Sequence, residues 1–469
     1  MNRFKLLTDR QVEQIHDASL QILEKVGVDF YYPPALAVFR KAGAKVDGDR
    51  VFFPPRFVEE QIAKAPDQFT LYARNSDHDV VIGQEHVAFV PGYGAPFVTD
   101  LDYGRRPALL VDYENFVKLT HASSAQDICS GTIIEPNDTP IENRHLQMLY
   151  TTFKYSDKCF MGSAMGETAA ADSLKMAAIL FGGQDSLVDK PCMISILCSL
   201  TPLKYESRML GAMMAYAEAG QPMLISSLAI MGVTAPVTLA GALALQNAEV
   251  LAGIVLTQLI REGTPIVFSG SSSSAEMRTG SLSVGSPEMA LNAAATIQMA
   301  RYYNLPVRGG GAVSDAKISD VQAAHESMMN MLMGQLSGVN FVLHAAGILE
   351  SYNCMSYEKF VIDDEICAAL KRIERAFEIN RDTLAVDLVQ TVGPGGHFLD
   401  KDHTFKYFRS EFFQPCLADR NNFTDWYEKG AIPQEEKANA RWKEILANFV
   451  PPDLPKSIDK DLLKFMRSR

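Results

Sequence analysis

From residue 112 onward the chain alternates between two patterns. Stretches with apolar residues at helical spacing cover 113–125, 142–156, 168–180, 203–219, 236–262, 287–303 and 319–337. Each is followed by a short, nearly unbroken apolar run: 128–134, 158–163, 193–198, 223–227, 266–268, 307–310 and 340–344. A 3.6-residue period marks an amphipathic helix, and a short continuous apolar run marks a buried strand. Repeated strand–helix units imply a parallel sheet covered by helices. Their spacing of roughly 30–45 residues fits a barrel of eight such units. The expected fold is α/β: a TIM (β/α)8 barrel with an α+β N-terminal section and a C-terminal helical cap. The sequence yields seven strands, and the eighth is placed either at 95–98 or after Leu384. An open doubly wound sheet is the alternative.

The two ends read differently. Residues 8–26 carry Val12, Ile15, Leu20, Ile22, Leu23 and Val26 at helical spacing, with Thr8 as N-cap and Gly27 as stop. From 28 to 110, short runs such as 51–53, 69–73, 80–82 and 87–90 sit between Gly, Pro and Asp turns. After 380 the chain is rich in aromatics, among them Phe398, Phe405, Phe412, Phe413 and Trp426, as in a cap or an assembly surface. The expected division is 1–110 for the N-terminal section, 111–380 for the barrel and 381–469 for the C-terminal section.

A net charge of −12 argues against nucleic acid or an anionic membrane as partner, since both favour basic patches. The stretch 235–260 is the most apolar, yet Gln246, Asn247, Glu249 and Gln258 make it too polar for a membrane span. The first ten residues have no apolar leader core. Seven cysteines are scattered with no C-x-x-C, as in a cytoplasmic protein with reduced thiols. The nine histidines are too dispersed to form a metal site, and none is expected. The phosphate loop, the H-E-x-x-H helix and the G-x-S-x-G elbow are all absent.

Strand ends of a parallel barrel carry its chemistry, and here they are small. The run 266–268 leads into Ser269-Gly270-Ser271, and Val307 leads into Arg308-Gly309-Gly310-Gly311. Such residues make room for a ligand or simply begin a turn. What remains is aromatic and acidic. Tyr93 and Phe97 lie in a loop rich in bend-formers, and Tyr352 follows His344. A quaternary ammonium has no N–H to donate, so proteins hold it with aromatic faces and carboxylates. Glu249, on an apolar helix, offers a carboxylate, as do Asp315 and Glu326. A plain inter-helix hydrogen bond is the alternative for Glu249, and ordinary packing is the alternative for each tyrosine.

Several segments carry a closer likeness. PGYGAPFVTD (91–100), the stretch 231–270, GSPEMALNAAATIQMARYYNLPVRGGG (285–311), SDAKISDVQAAHES (314–327), 344–365 and 393–415 together resemble the trimethylamine methyltransferase superfamily over essentially the whole chain. The resemblance implies a TIM barrel, no metal bound by this chain, and a separate corrinoid protein whose cob(I)alamin accepts a methyl group. Members specific for trimethylamine carry pyrrolysine near the stretch that here reads Gly347-Ile348-Leu349-Glu350-Ser351. This chain therefore resembles the branch without pyrrolysine, which acts on quaternary amines: glycine betaine is expected first, then proline betaine or carnitine. Tyr93, Phe97, Tyr352 and Glu249 are the expected cage, and Arg308, His344 and His397 the expected carboxylate site. Asp315, Gln322 and Glu326 are expected to position substrate or corrin, and Ser271, Gly309, Gly310 and Gly311 to let the corrin approach. A homo-oligomer is expected. The rival readings are another barrel enzyme, a non-catalytic amine-binding protein, and a structural subunit of a corrinoid complex.

Overall fold

The computed structural model describes residues 3–469. Eight parallel strands form its centre: β1 Ala88–Val90, β2 Ile128–Cys129, β3 Cys159–Met161, β4 Met193–Cys198, β5 Met223–Ser227, β6 Ile266–Gly270, β7 Val307–Arg308 and β8 Phe341–Leu343. They follow one another in chain order around the sheet, with β8 paired to β1. Between β1 and β2 the seam is closed by Asp127. Its N–H donates to the Phe89 carbonyl (2.8 Å), and its carboxylate accepts from the Phe89 N–H (2.9 Å). Each strand leads to an outer helix: α1 Leu110–Ala122, α2 Ile141–Tyr155, α3 Glu167–Phe181, α4 Ser207–Glu218, α5 Leu239–Ile260, α6 Pro287–Tyr302, α7 Val321–Ser337 and α8 Tyr357–Glu374.

The missing strand is neither of the two sequence candidates. It is 88–90, inside the stretch read as N-terminal, because a 19-residue loop with its own strands Phe97–Thr99 and Arg106–Pro107 separates β1 from α1 and hides the unit.

Side chains alternate across each strand, and the parity decides what fills the lumen. Ala88, Val90, Ile128, Met161, Ile194, Leu224, Val267, Phe341 and Leu343 form one buried cluster inside the barrel. The hairpin Gln68–Leu71/Val80–Gly83 plugs the N-terminal end of this lumen, adding Phe69, Leu71 and Ile82 to the same cluster. The Tyr72 N–H donates to the Pro191 carbonyl (2.8 Å), fixing the plug. With the bottom filled, the C-terminal end is the open end.

α5 is apolar nearly all round because it is covered on both sides. The helices Asp9–Lys25, Pro33–Lys41 and Pro55–Ile62 pack on its outer face. It is long and apolar enough to cross a membrane, but a helix hydrophobic on all sides also belongs in a core, and here its residues 242–258 are buried. The Thr8 cap is present as read, with a reciprocal Gln11 bond. The helices Gln434–Ala447 and Lys456–Arg467 lie on the outer wall, the first against α8 and α1, the second against α3 and α2.

Replacing Asp127 by alanine strands the Phe89 N–H at the seam, which costs about 1–3 kcal/mol. Chemical denaturation of Asp127→Ala should show that loss, and Asp127→Asn, which keeps an acceptor, a smaller one.

Candidate active site

The parity that makes the lower lumen apolar puts a different layer at the mouth. On β4 the inward positions continue to Ile196 and Cys198, on β5 to Ser226, and on β6 to Ser269. Arg308 of β7 pairs with Ser269 on one side and Phe341 on the other, both lumen positions. Arg308 therefore points inward, among small polar side chains that leave it space. It is 1% exposed. Among the described residues no carboxylate forms an ion pair with it, and its Nε has no hydrogen-bond partner. Burial disfavours its charge, while the nearby Tyr352 and Cys198 favour it.

Beside the guanidinium stand His344 and Tyr352, and Tyr93 is joined to them through His344. The Tyr93 N–H donates to His344 Nδ1 (3.2 Å), so that nitrogen is the acceptor and Nε2 carries the proton. Burial, reinforced by the charge of Arg308, holds the imidazole well below its usual pKa, and it is neutral. The Tyr352 ring lies 4.7 Å from that of His344, and its buried hydroxyl lies beside Arg308.

Tyr352 is aimed by an unusual backbone. Glu350, Ser351 and Tyr352 are consecutive left-handed residues, with φ of 53°, 53° and 78°. Three such non-glycine residues persist only where surrounding contacts over-determine them. Ser351 Oγ donates to Asp315 (2.6 Å), the Ser351 and Glu350 N–H groups donate to Ser314 and Ala316, and Arg105 pairs with Glu350 (2.8 Å). Asp315 also accepts from the N–H groups of Val284 and Gly285 (2.9 and 3.0 Å). Glu326 accepts from Ser314, from the Asp315 N–H and from Gln322. Asp315, Glu326 and Gln322 thus lock the loops after β6, β7 and β8 to one another.

A cavity of about 350 Å³ opens beside this group, lined by Tyr93, Thr132, Glu135, His145, Ile196 and Cys198, with Met148, Met165 and Met209. That is at the small end of ligand sites, which span about 300–1,000 Å³. Tyr93 and Cys198 belong to its wall, and Arg308 acts on Cys198 from behind. Burial pushes the Tyr93 phenol up to about 12, so it stays neutral.

Several expected residues have other duties. Both Glu249 oxygens are taken: Ser199 (2.5 Å), Thr201 (2.9 Å), Ser227 (2.7 Å) and the Leu203 N–H (2.7 Å) all donate to it. It clamps the loop after β4 and has no oxygen to spare for a cage. The Phe97 ring is covered by the Arg105 guanidinium at 3.7 Å, so that face cannot take a second cation. His397 is exposed, 3.6 Å from Asp400 in the C-terminal section, and does not join the cavity. Gly309, Gly310 and Gly311 are buried rather than spread around an open mouth. A Cβ on Gly310 would lie 3.1 Å from the Asn330 carbonyl and one on Gly311 2.9 Å from the Leu343 carbonyl, so they serve close packing on α7 and β8. Ser271 is buried too, its N–H bonded to Ser227.

Thr132, Glu135, Met165, Ile196 and Cys198 escaped the sequence reading. They end or follow β2, β3 and β4, where Ser130-Gly131, Gly162-Ser163 and Ser199 are small residues of the same kind as those after β5 and β6, but the side chains that line the cavity are mostly of types that also fill cores and turns. Strand parity on 193–198 alone marks Ile194, Ile196 and Cys198 as one face.

Fold and cavity together describe a parallel barrel with a cavity at the C-terminal ends of β2, β3 and β4, and with the buried Arg308 next to its Cys198 wall. The chain matches, over residues 1–469, the family described as trimethylamine methyltransferase (MTTB), and it belongs to that family. It is 51% identical over 467 residues to a glycine betaine methyltransferase of Desulfitobacterium hafniense, covering 100% of this chain and 97% of that one. It is 34% identical to a proline betaine:corrinoid methyltransferase of Eubacterium limosum, covering 98% and 96%. To a trimethylamine methyltransferase MttB of Desulfitobacterium hafniense it is 31% identical, covering 96% and 91%. Among solved structures it resembles the Methanosarcina barkeri monomethylamine methyltransferase (TM-score 0.52, 11% identity, 96% and 90% covered) and a hydroxylamine complex of MtmB (TM-score 0.56, 11% identity, 96% and 90%); this likeness concerns the fold.

The neutral His344 has a consequence for stability. Its folded pKa lies well below the ordinary 6.5, so below that pH only the unfolded chain takes up the proton. Its contribution is present above pH 6.5 and is lost as the pH falls through and below that value. Denaturation midpoints from pH 8 to 5 should fall, and less steeply in His344→Asn.

Proposed function

We propose that this protein is an enzyme that moves an N-methyl group from a small quaternary amine bearing a carboxylate, glycine betaine first and proline betaine or carnitine next, to the cob(I)alamin of a separate corrinoid protein. The observation that carries this reading is Arg308: a buried guanidinium beside a small cavity, without an acid of its own. A buried charge left unpaired is strongly unfavourable, and a substrate carboxylate would supply the missing partner, with the Tyr352 hydroxyl and His344 Nε2–H beside it. The other end of the cavity suits a trimethylammonium head. It offers the Tyr93 ring, soft methionine sulfurs and the Glu135 carboxylate at the rim.

The chemistry asks little acid–base help of the chain. When the N–CH3 bond breaks, its electron pair stays on nitrogen and leaves a neutral tertiary amine, while the cobalt pair forms the new bond to carbon. The protein's task is to hold the zwitterion at both ends with one methyl facing the mouth, and to keep water away. Asp315, Glu326 and Gln322 act at one remove, by holding the loop that carries Tyr352. No nucleic acid or membrane partner is proposed, and the cytoplasm is the compartment we assign. A second copy of the chain is the assembly partner we assign to the section around 381–428, whose four short helices bury no side chain and leave Phe405, Phe412 and Phe423 exposed.

Arg308→Met separates binding from folding. Losing one partner of a buried charge pair costs about 2–5 kcal/mol, so glycine betaine affinity should fall at least about 30-fold in calorimetry. The ligand-free variant should nevertheless melt at a higher temperature than wild type, because an uncompensated charge has left the core. Unchanged betaine affinity would remove Arg308 from the site.

A further inference from the structure

Among the described residues, His145, in the second turn of α2, is the one histidine in the cavity wall. Its Nε2 lies 3.1 Å from Oδ2 of Asp172, on α3. Asp172 is 2% exposed and shares the buried face of that helix with Ala169, Ala170 and Met176. Its other oxygen, Oδ1, lies 2.7 Å from a guanidinium nitrogen of Arg469. One buried carboxylate thus stands between two bases, an imidazole in the cavity wall and an arginine whose side chain is 44% exposed. The helix Lys456–Arg467 delivers Arg469. It lies along α3 and α2, buries Leu462, and is held by the Tyr150 hydroxyl, which donates to Asp459 (2.8 Å).

A buried carboxylate needs one positive charge to offset it. Arg469 is permanently charged and meets that need. An imidazole meets it only by taking up a proton. With Arg469 in place, a proton on His145 would leave the three groups net positive. Without Arg469, the same proton would bring them to neutrality, so the carboxylate would draw it onto the ring. That proton would put a positive charge in the wall of a cavity suited to an ammonium group. The other ionisable groups around His145 have partners or protons of their own. Glu135, in the loop after β2, pairs with Arg144 of α2 (3.4 Å), and Glu142 is exposed in the first turn of α2. Across the cavity, burial keeps the Tyr93 phenol neutral and raises the Cys198 thiol. From α1, Tyr113 bonds to Thr152, two turns further along α2.

Resting on the methyl-transfer reading above, we propose that Asp172 and Arg469 are positioning residues for the methyl donor: they hold His145 as an uncharged wall of the ammonium site, so that affinity for the quaternary amine does not fall as the pH drops below neutrality. Neither residue lines the cavity. Both act through the imidazole, and the segment that follows the barrel thereby governs the charge at the site.

The test reads the histidine first without a ligand and then with one. Wild type, Arg469→Ala, Arg469→Lys, His145→Gln and the double variant Arg469→Ala/His145→Gln are compared from pH 8 to 6, with circular dichroism as the check on folding. The imidazole NMR signal that His145→Gln lacks is followed through the titration. In Arg469→Ala its midpoint should move up by about one pH unit from that of wild type. Arg469→Lys, which keeps a cation beside Asp172, should restore the wild-type midpoint. Calorimetry then gives the Kd for glycine betaine. From pH 8 to 6 it should change within about twofold in wild type and Arg469→Lys, and weaken about tenfold in Arg469→Ala, the effect of a like charge close to the ammonium. The double variant should again be flat, which a merely structural role of Arg469 would not produce. An unmoved His145 midpoint in Arg469→Ala, or a betaine Kd as flat there as in wild type, would overturn the proposal. A midpoint that moves as expected in a protein that binds no quaternary amine at any pH would instead overturn the reading of the cavity as an amine site.

Discussion

An arginine side chain enclosed by a barrel, with no carboxylate among the described residues to balance it, is a stored cost of several kcal/mol. Much of the upper half of the molecule is arranged to hold it there. Its direction is set by the pairing of β7 with β6 and β8, and a slip of one residue would turn it out toward the helices. Its space comes from Ser226, Ser269 and Cys198 on the neighbouring strands. Its surroundings come from a loop in a left-handed run, pinned by Asp315 and Arg105. A site that pays in stability for an unmatched charge is poised for a ligand of opposite charge.

The rest of the chain confines that site to one end. The 68–83 hairpin fills the bottom of the lumen, and the helices before residue 63 cover α5, which has no polar face of its own. α8 is tied to the barrel from inside: Lys359 reaches Asp363, Ser327 and the Ala312 carbonyl, and Asp363 accepts the Gly347 N–H. This buried pair anchors the start of the loop that bears Tyr352. Burial pushes the Asp363 carboxyl up to about 6 despite Lys359, and the Gly347 N–H helps keep its charge.

Most of the barrel was legible because its units repeat: seven strands and seven of the outer helices fall where periodicity puts them, within a few residues. β1 was read as a strand but assigned to the wrong layer, since the long loop after it breaks the repeat. α8 was missed because its buried side carries Glu358, Lys359 and Asp363, which pattern reading takes for a solvent face. Arg308, His344, Tyr93 and Tyr352 were found as residues, and the structure brings them together. Glu249 and Phe97 were chosen by type alone. Their hydrogen bonds and stacking come from segments distant in sequence, which no local pattern reveals. The methionine and isoleucine wall of the cavity looked like ordinary core.

The most direct measurement is a panel of donors in one spectroscopic assay. The purified protein is mixed with reduced corrinoid carrier and, in turn, glycine betaine, proline betaine, carnitine, choline and trimethylamine, and the loss of Co(I) is followed. A two-ended site predicts rapid loss with a carboxylate-bearing quaternary amine and little with choline or trimethylamine, neither of which can pair with Arg308. Equal turnover of choline or trimethylamine, or no turnover of any donor with the carrier shown to be reduced, would contradict it.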